Sequence, residues 1–212
     1  MSWRSLALML LPTLPICQVT FAAIDFESAG AAKGKTDVPI QLGMGMWSMA
    51  TGMGEQFVSF LQSDRSIAWS AQKVHGITVD DLAGAPSLVS LWPVVKKFLA
   101  TSVVVAHGKG TEKKFLRAFP GHGFGPWIDT LLLSRALWPS WKDHSLGALC
   151  TELGLNDKIS ALCPGRQWHD ALYDAFASLC LLESMIERLD LAQNSVEILF
   201  QPDQTKWFFE KK

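Results

Sequence analysis

An apolar strand that closes on two acids constrains this chain more than any other feature. Val19, Phe21, Ala22, Ala23 and Ile24 read as a buried strand, and Asp25 and Glu27 follow with only Phe26 between them. Side chains alternate across a strand, so residues two apart point to the same side. Two carboxylates placed together at the end of an apolar strand repel each other unless something cationic lies between them.

Length and composition bound the rest. A chain of 212 residues, 49% of them hydrophobic, buries one sizeable core. The expected organisation is an extension over 1–17, a domain over 18–192 and a tail over 193–212. The formal net charge of −1 argues against holding long nucleic acid by charge alone, but not against gripping a chain end through metals. Cys17, Cys150, Cys163 and Cys180 form no C-x-x-C pair and no Cys/His cluster. That disfavours a structural zinc site or a disulfide framework and fits a reducing, cytoplasmic compartment. Most of the nine tryptophans are expected to pack, although Trp also stacks on single-stranded bases.

The apolar run from Leu6 to Ile16 after Arg4 has the look of a secretory signal. Pro12 and Pro15 interrupt it, and the small-residue exit at Ala22-Ala23 falls inside the strand that carries Asp25. The expectation is therefore an intracellular extension packed on the domain. No stretch reaches the ~20 apolar residues of a membrane span.

Along the chain, "GAAKGKTDVP" reads as a loop, and "IQLGMGMWSM" and "EQFVSFLQ" as two strands joined through "ATGMG". The segment from Ser70 to Ala100 is helical in pieces, with Thr78 and Asp81 at the spacing of an N-cap and Pro86 suited to a first turn. "TSVVVAH" is a buried strand, "KGTEKKFLRAF" a short helix and "PWID" a brief strand. Helices follow over "TLLLSRALWP", "SLGALCTELGL" and "HDALYDAFASLCLLESMIERL". Strands first and then alternation predict a mixed α/β sheet flanked by helices. The tail from Gln193 is amphipathic and open to either reading.

In the last long helix, Asp174 has Ala171 and Ser178 on its own face and Ala175 beside it. Small neighbours let a helix approach a sheet closely, which would bring Asp174 beside a strand end. His169 precedes Asp174 by five residues, about 140° around a regular helix. It reaches Asp174 only from a loosened helix start or from just before it. Each residue alone has an ordinary reading, as a turn acid, a cap or an exposed helix acid. Their combination points to a site.

That combination resembles the DnaQ-like, or DEDDh, 3′–5′ exonucleases. Ile24-Asp25-Phe26-Glu27-Ser28-Ala29-Gly30 is similar to the family's first motif, His169 to Asp174 to its H-x-x-x-x-D motif, and Val74-His75-Gly76-Ile77-Thr78 to a middle segment. The stretch from Ile128 to Leu155 resembles the family's D-T-L…L-G-L region, and the likeness runs in order from Val19 to Leu189. One motif departs. Where the family has A-H-N-A-x-F-D-x-x-F-L, this chain has Ala106-His107-Gly108, then Thr111-Glu112 and Phe115-Leu116, so Glu112 stands where an Asp belongs.

The resemblance implies an RNase H-like mixed sheet, three antiparallel strands followed by parallel ones. It implies two divalent ions, Mg²⁺ or Mn²⁺, held by Asp25, Glu27, Asp174 and Glu112, with His169 as general base. Imidazole titrates close enough to neutral pH for that task. Ser28, Ala29, Gly30, His75, Ile77 and Phe115 are the matching substrate-contact positions, and the expected partner is the single-stranded 3′ end of a nucleic acid, DNA or RNA. A homodimer or a polymerase partner stays open. Lys109, Lys113, Lys114 and Arg117 either meet phosphates or form a solvated helix face; His107 and His144 read as structural, and His122 as a loop residue. The rival readings are an impaired exonuclease-fold binding module and, from the N-terminus alone, a secreted protein of another class.

Overall fold

A computed structural model of the chain describes residues 13–30 and 37–200. Most of the apolar N-terminal run, most of the Gly/Lys loop and the end of the C-terminal tail lie outside the described residues.

The strands form where β-branched and apolar residues run together: β1 (Phe21–Ser28), β2 (Pro39–Ser48), β3 (Gly52–Phe60), β4 (Val103–Ala106) and β5 (Trp127–Asp129). They make one five-stranded sheet in the order β3-β2-β1-β4-β5. β1, β2 and β3 pair antiparallel, and β4 and β5 run parallel to β1. This is the mixed sheet expected from the sequence. The first connection is tighter than expected, because pairing continues to Ser48 opposite Gly52 and leaves only 49–51 to turn. Ser48 Oγ accepts from the Thr51 N–H at 3.2 Å and closes that turn.

Seven helices are described: α1 (Trp69–His75), α2 (Trp92–Leu99), α3 (Gly110–Leu116), α4 (Thr130–Leu137), α5 (Leu146–Glu152), α6 (Asn156–Leu162) and α7 (Ala171–Arg188). α6 is an addition to the sequence reading; Leu155, Ile159 and Leu162 have its spacing, but one turn of period is a weak signal. The expected cap exists as an exchange between Thr78 and Asp81, in which the Thr78 N–H donates to Asp81 Oδ2 at 2.8 Å ahead of a single 3₁₀ turn. Among the described residues no helix is long and apolar enough to cross a membrane.

Strand alternation sorts β1 between two layers. Phe21 and Ala23 enter the core that α7 covers, while Ala22, Ile24 and Phe26 enter the core under α2 and α3. Asp25 and Glu27 continue the first set, so both acids face the α7 side. Both chain flanks join that layer. Ile16, Val196 and Leu199 are buried in it, and the Ile16 N–H donates to the Asn194 carbonyl at 2.9 Å.

Candidate functional site

The site forms at the C-terminal end of β1, where α7 begins. Asp25 lies opposite Gly43 of β2, and Glu27 opposite Gln41. A Cβ on Gly43 would stand 2.1 Å from the Ala171 carbonyl carbon and 2.2 Å from the Leu172 nitrogen. The first turn of α7 therefore rests directly on the main chain of β2. The small residues on α7 expected to allow close approach are buried, and the approach also requires the strand glycine. Gln41, buried within the strand, completes the seat: its Oε1 accepts from the Ala171 N–H at 2.9 Å and its Nε2 donates to Asp170 Oδ2 at 3.0 Å.

Asp170 is the N-cap of α7, accepting from the Leu172 and Tyr173 N–H groups at 3.1 and 3.3 Å. Such a cap satisfies main-chain donors that a helix start leaves without partners. Arg166 Nη1 donates to its second oxygen at 2.6 Å. His169 precedes the cap, outside the helix, with φ 67°. The left-handed region is uncommon for a non-glycine residue and often accompanies a functional constraint. It resolves the 140° problem: ligand atoms of Glu27, His169 and Asp174 all lie within 4.8 Å of one another.

Glu112 approaches from α3, a helix of seven residues without a side-chain cap. Glu112 is 4% exposed while Lys113, Lys114 and Arg117 around it are exposed, so the acid alone turns inward from that charged face. The loop before α3 is held by Asp129, which accepts from the Gly108 and Lys109 N–H groups at 3.0 and 3.2 Å and also caps α4.

Without a counter-charge, the cluster is electrostatically costly. Burial, and then Asp174, Glu112 and Glu27 in turn, hold the Asp25 carboxyl well above the usual range. Burial followed by Asp174 and Asp170 pushes Glu27 to about 8. Burial raises Asp174 to about 7, with Asp170 adding and a main-chain hydrogen bond at His169 opposing. Burial also raises Glu112 to about 7. Asp174 Oδ1 and Glu112 Oε2 are buried with no hydrogen-bond partner. Buried acceptors of this kind are rarely left unpaired, and hard divalent cations take carboxylate oxygens. The donor set fits such ions.

The positions read as substrate contacts divide. Ala29, Ile77 and Phe115 are buried; Ala29 and Ile77 pack with Ile40 and Leu82, and Phe115 sits edge-on against Phe26. The Ala29 N–H donates to the Val38 carbonyl and its carbonyl accepts from Ala68, so both main-chain groups are committed internally. Ser28, Gly30 and His75 are half-buried. The Ile77 N–H donates to His75 Nδ1 at 3.0 Å, so Nε2 carries the proton and donates to the Ser28 carbonyl at 3.2 Å. His75 borders a polar cleft of about 540 Å³ that Arg166, Trp168, His169 and Asp170 also line. His107 bridges Thr130 and the His144 carbonyl, each at 2.9 Å, a structural arrangement.

Sequence reading missed Gln41, Gly43, Asp129 and Asp170. Gly43 and Asp129 had signals: glycine inside a strand marks close backbone approach, and Asp-Thr before an apolar run marks a helix start. Gln41 had none beyond being polar among apolar neighbours.

A family model described as exonuclease, RNase_T, matches residues 22–182. The chain belongs to this family, the DnaQ-like exonucleases of the RNase H-like superfamily. A DNA polymerase III subunit epsilon-like protein of Rhodobacter capsulatus is 30% identical over 169 residues, 77% of this chain and 23% of that protein. The PolC-type DNA polymerase III of Bacillus subtilis is 28% identical over 149 residues, 68% of this chain and 10% of that one. The chain thus spans less than a quarter of these relatives. Among solved structures, Exonuclease X in complex with 5′ overhanging duplex DNA superposes with a TM-score of 0.66 at 24% identity, covering 85% of this chain and 99% of that one. The nuclease domain of 3′hExo, a DEDDh family member bound to rAMP, gives 0.63 at 16%, covering 82% and 94%. Both share the fold.

Proposed function

We propose that the chain is a metal-dependent 3′–5′ exonuclease that releases nucleoside 5′-monophosphates from the 3′ end of DNA or RNA. The observation that carries this reading is the convergence of Glu27, His169 and Asp174 beside the end of β1, with Asp25 joined to Asp174, Glu112 and Glu27 by mutual electrostatic repulsion. Asp25, Glu27, Asp174 and Glu112 would hold two divalent ions, Mg²⁺ or Mn²⁺. When bound, such ions activate water and neutralise charge on the phosphate. His169, exposed and with its ring beside Glu27 and Asp174, takes the proton from the attacking water. Water oxygen joins phosphorus, the bond from phosphorus to the 3′ oxygen breaks, and that oxygen takes a proton from solvent, leaving the shortened chain with a 3′ hydroxyl. The inward-turned, partnerless Glu112 Oε2 favours this over an impaired binding module, in which a buried acid lacking a cation would only destabilise the fold. The polymerase relatives make a replication partner a natural extension of the same proposal.

The test uses 5′-labelled single-stranded DNA, single-stranded RNA and a mismatched duplex with Mg²⁺, Mn²⁺ or EDTA. A ladder shortening from the 3′ end with metal and none with EDTA is expected. No shortening of any substrate with either metal would overturn the proposal.

A further inference from the structure

Trp69, at the start of α1, is 75% exposed. The opposite stripe of α1 seats the helix on the first motif: the Ala68 N–H donates to the Ala29 carbonyl at 2.7 Å, and a Cβ on Gly30 would lie 3.0 Å from Ala68 Cβ and 3.1 Å from Ala71 Cβ. His75, at the far end of the same helix, bonds the Ser28 carbonyl and borders the cleft beside His169. Trp69 therefore stands on an element tied at both ends to the candidate site. Along the axis it lies six residues, about 9 Å, from His75. That is close to three stacked base steps of ~3.4 Å.

The surroundings of the ring select among ligands. Lys73 Nζ sits 5.3 Å from the ring centroid, so a cation lies over one face of a ring that is otherwise largely in solvent. Ser66, Ser70 and Lys73, near it in the chain, are themselves exposed. A single aromatic ring in polar surroundings is a poor protein-docking patch, which needs contiguous apolar area. It is sufficient for one nucleobase, whose π-face stacks on Trp while a neighbouring ammonium meets the phosphate chain.

We infer that Trp69 and Lys73 form a stacking platform for an unpaired nucleobase of the substrate strand, a few nucleotides from the scissile phosphate. The inference rests on the exonuclease reading of the site and adds to it a preference for single-stranded substrates long enough to span α1. Removing the ring costs nothing in the core, because it is exposed there.

The experiment compares the parent chain with Trp69→Ala, Trp69→Phe and Lys73→Ala on a 5′-labelled single-stranded 12-mer and on a dinucleotide. Trp69→Ala should raise KM for the 12-mer by about 5- to 150-fold, the range of one lost stack. Its kcat, and its turnover of the dinucleotide, should be unchanged. Trp69→Phe should restore most of the loss, and Lys73→Ala should show a smaller rise that vanishes at high salt. An abasic nucleotide near the third position from the 3′ end should weaken the parent and add no further loss to Trp69→Ala. Unchanged KM in Trp69→Ala would overturn the platform and point the ring to a protein partner. Binding of the 12-mer with Ca²⁺ is measured in parallel. A parent that binds without cutting in Mg²⁺ or Mn²⁺ sinks the exonuclease reading, and the loss or retention of binding in Trp69→Ala still decides the platform.

Discussion

The two sides of the acid cluster are built to different tolerances. On the β1–α7 side, main chain meets main chain at Gly43, Gln41 bonds both the first helical N–H and the cap, and Arg166 pairs with that cap. On the α3 side, a seven-residue helix without a side-chain cap projects Glu112 inward, and its entry loop hangs from Asp129. The first side sets its carboxylates by backbone contact, which side-chain rotation does not relax. The second relies on the reach of one long side chain, which is one methylene longer than the family's aspartate. A metal shared between the sides would be located by the first and trimmed by the second.

The largest expected effect lies on the first side. Asp25→Ala or Asp174→Ala should fold normally, with melting temperatures in EDTA at or above the parent's, and should release no nucleotide above background. Parent-like turnover by either variant would remove the metal assignment altogether. His169→Ala should keep metal and oligonucleotide binding while turnover falls on the order of 10²–10⁴-fold. If metal affinity collapsed instead, His169 would be a ligand.

Gly43→Ala tests whether backbone contact really sets the first side. The new methyl has no room against Ala171 and Leu172, so the start of α7 must move away. A displacement near 1 Å is worth about 10² in rate. A variant with parent kinetics would show that α7 has slack. Glu112→Ala should cost less, about 10- to 100-fold, with more activity retained in Mn²⁺ than in Mg²⁺. Equal rates at saturating Mn²⁺ would reduce Glu112 to part of a charged helix.

The smallest effect is on stability, and its sign follows from the raised carboxyls. Folding lifts Glu27 from 4.5 to about 8 and Glu112 from 4.5 to about 7, so across that window the folded metal-free protein holds more protons than the unfolded chain. Its stability is fully present below the unfolded values and declines as pH rises through the folded ones. Melting in EDTA should therefore drop between pH 5 and pH 8, and Mg²⁺ or Mn²⁺ should restore more at pH 8 than at pH 5. A flat profile in EDTA would mean that the acids are better solvated than their burial indicates.

Much of the site was legible from local pattern. The D-x-E ending of β1, the small-residue face around Asp174 and the need for His169 to lie outside a regular helix are all consequences of periodicity, and the structure shows each of them. Gln41 was not legible, because an amide inside a strand has no pattern of its own; its partners, Asp170 and Ala171, lie about 130 residues away. Ala29, Ile77 and Phe115 were read as substrate contacts from motif position alone, and burial turned them inward.

By itself, the sequence determined which residues share a face, because alternation in a strand and rotation in a helix depend only on near neighbours. That was enough to put Asp25 and Glu27 on one side of β1 and to order the elements that carry the other acids. Only the tertiary structure decided that these acids meet. Their convergence depends on how near α7 comes to β2, and that distance is set by a glycine and a helix start more than a hundred residues apart. The same holds for Trp69: the sequence places it on a short helix, but that its ring stays in solvent follows from where Ala29 and Gly30 receive that helix.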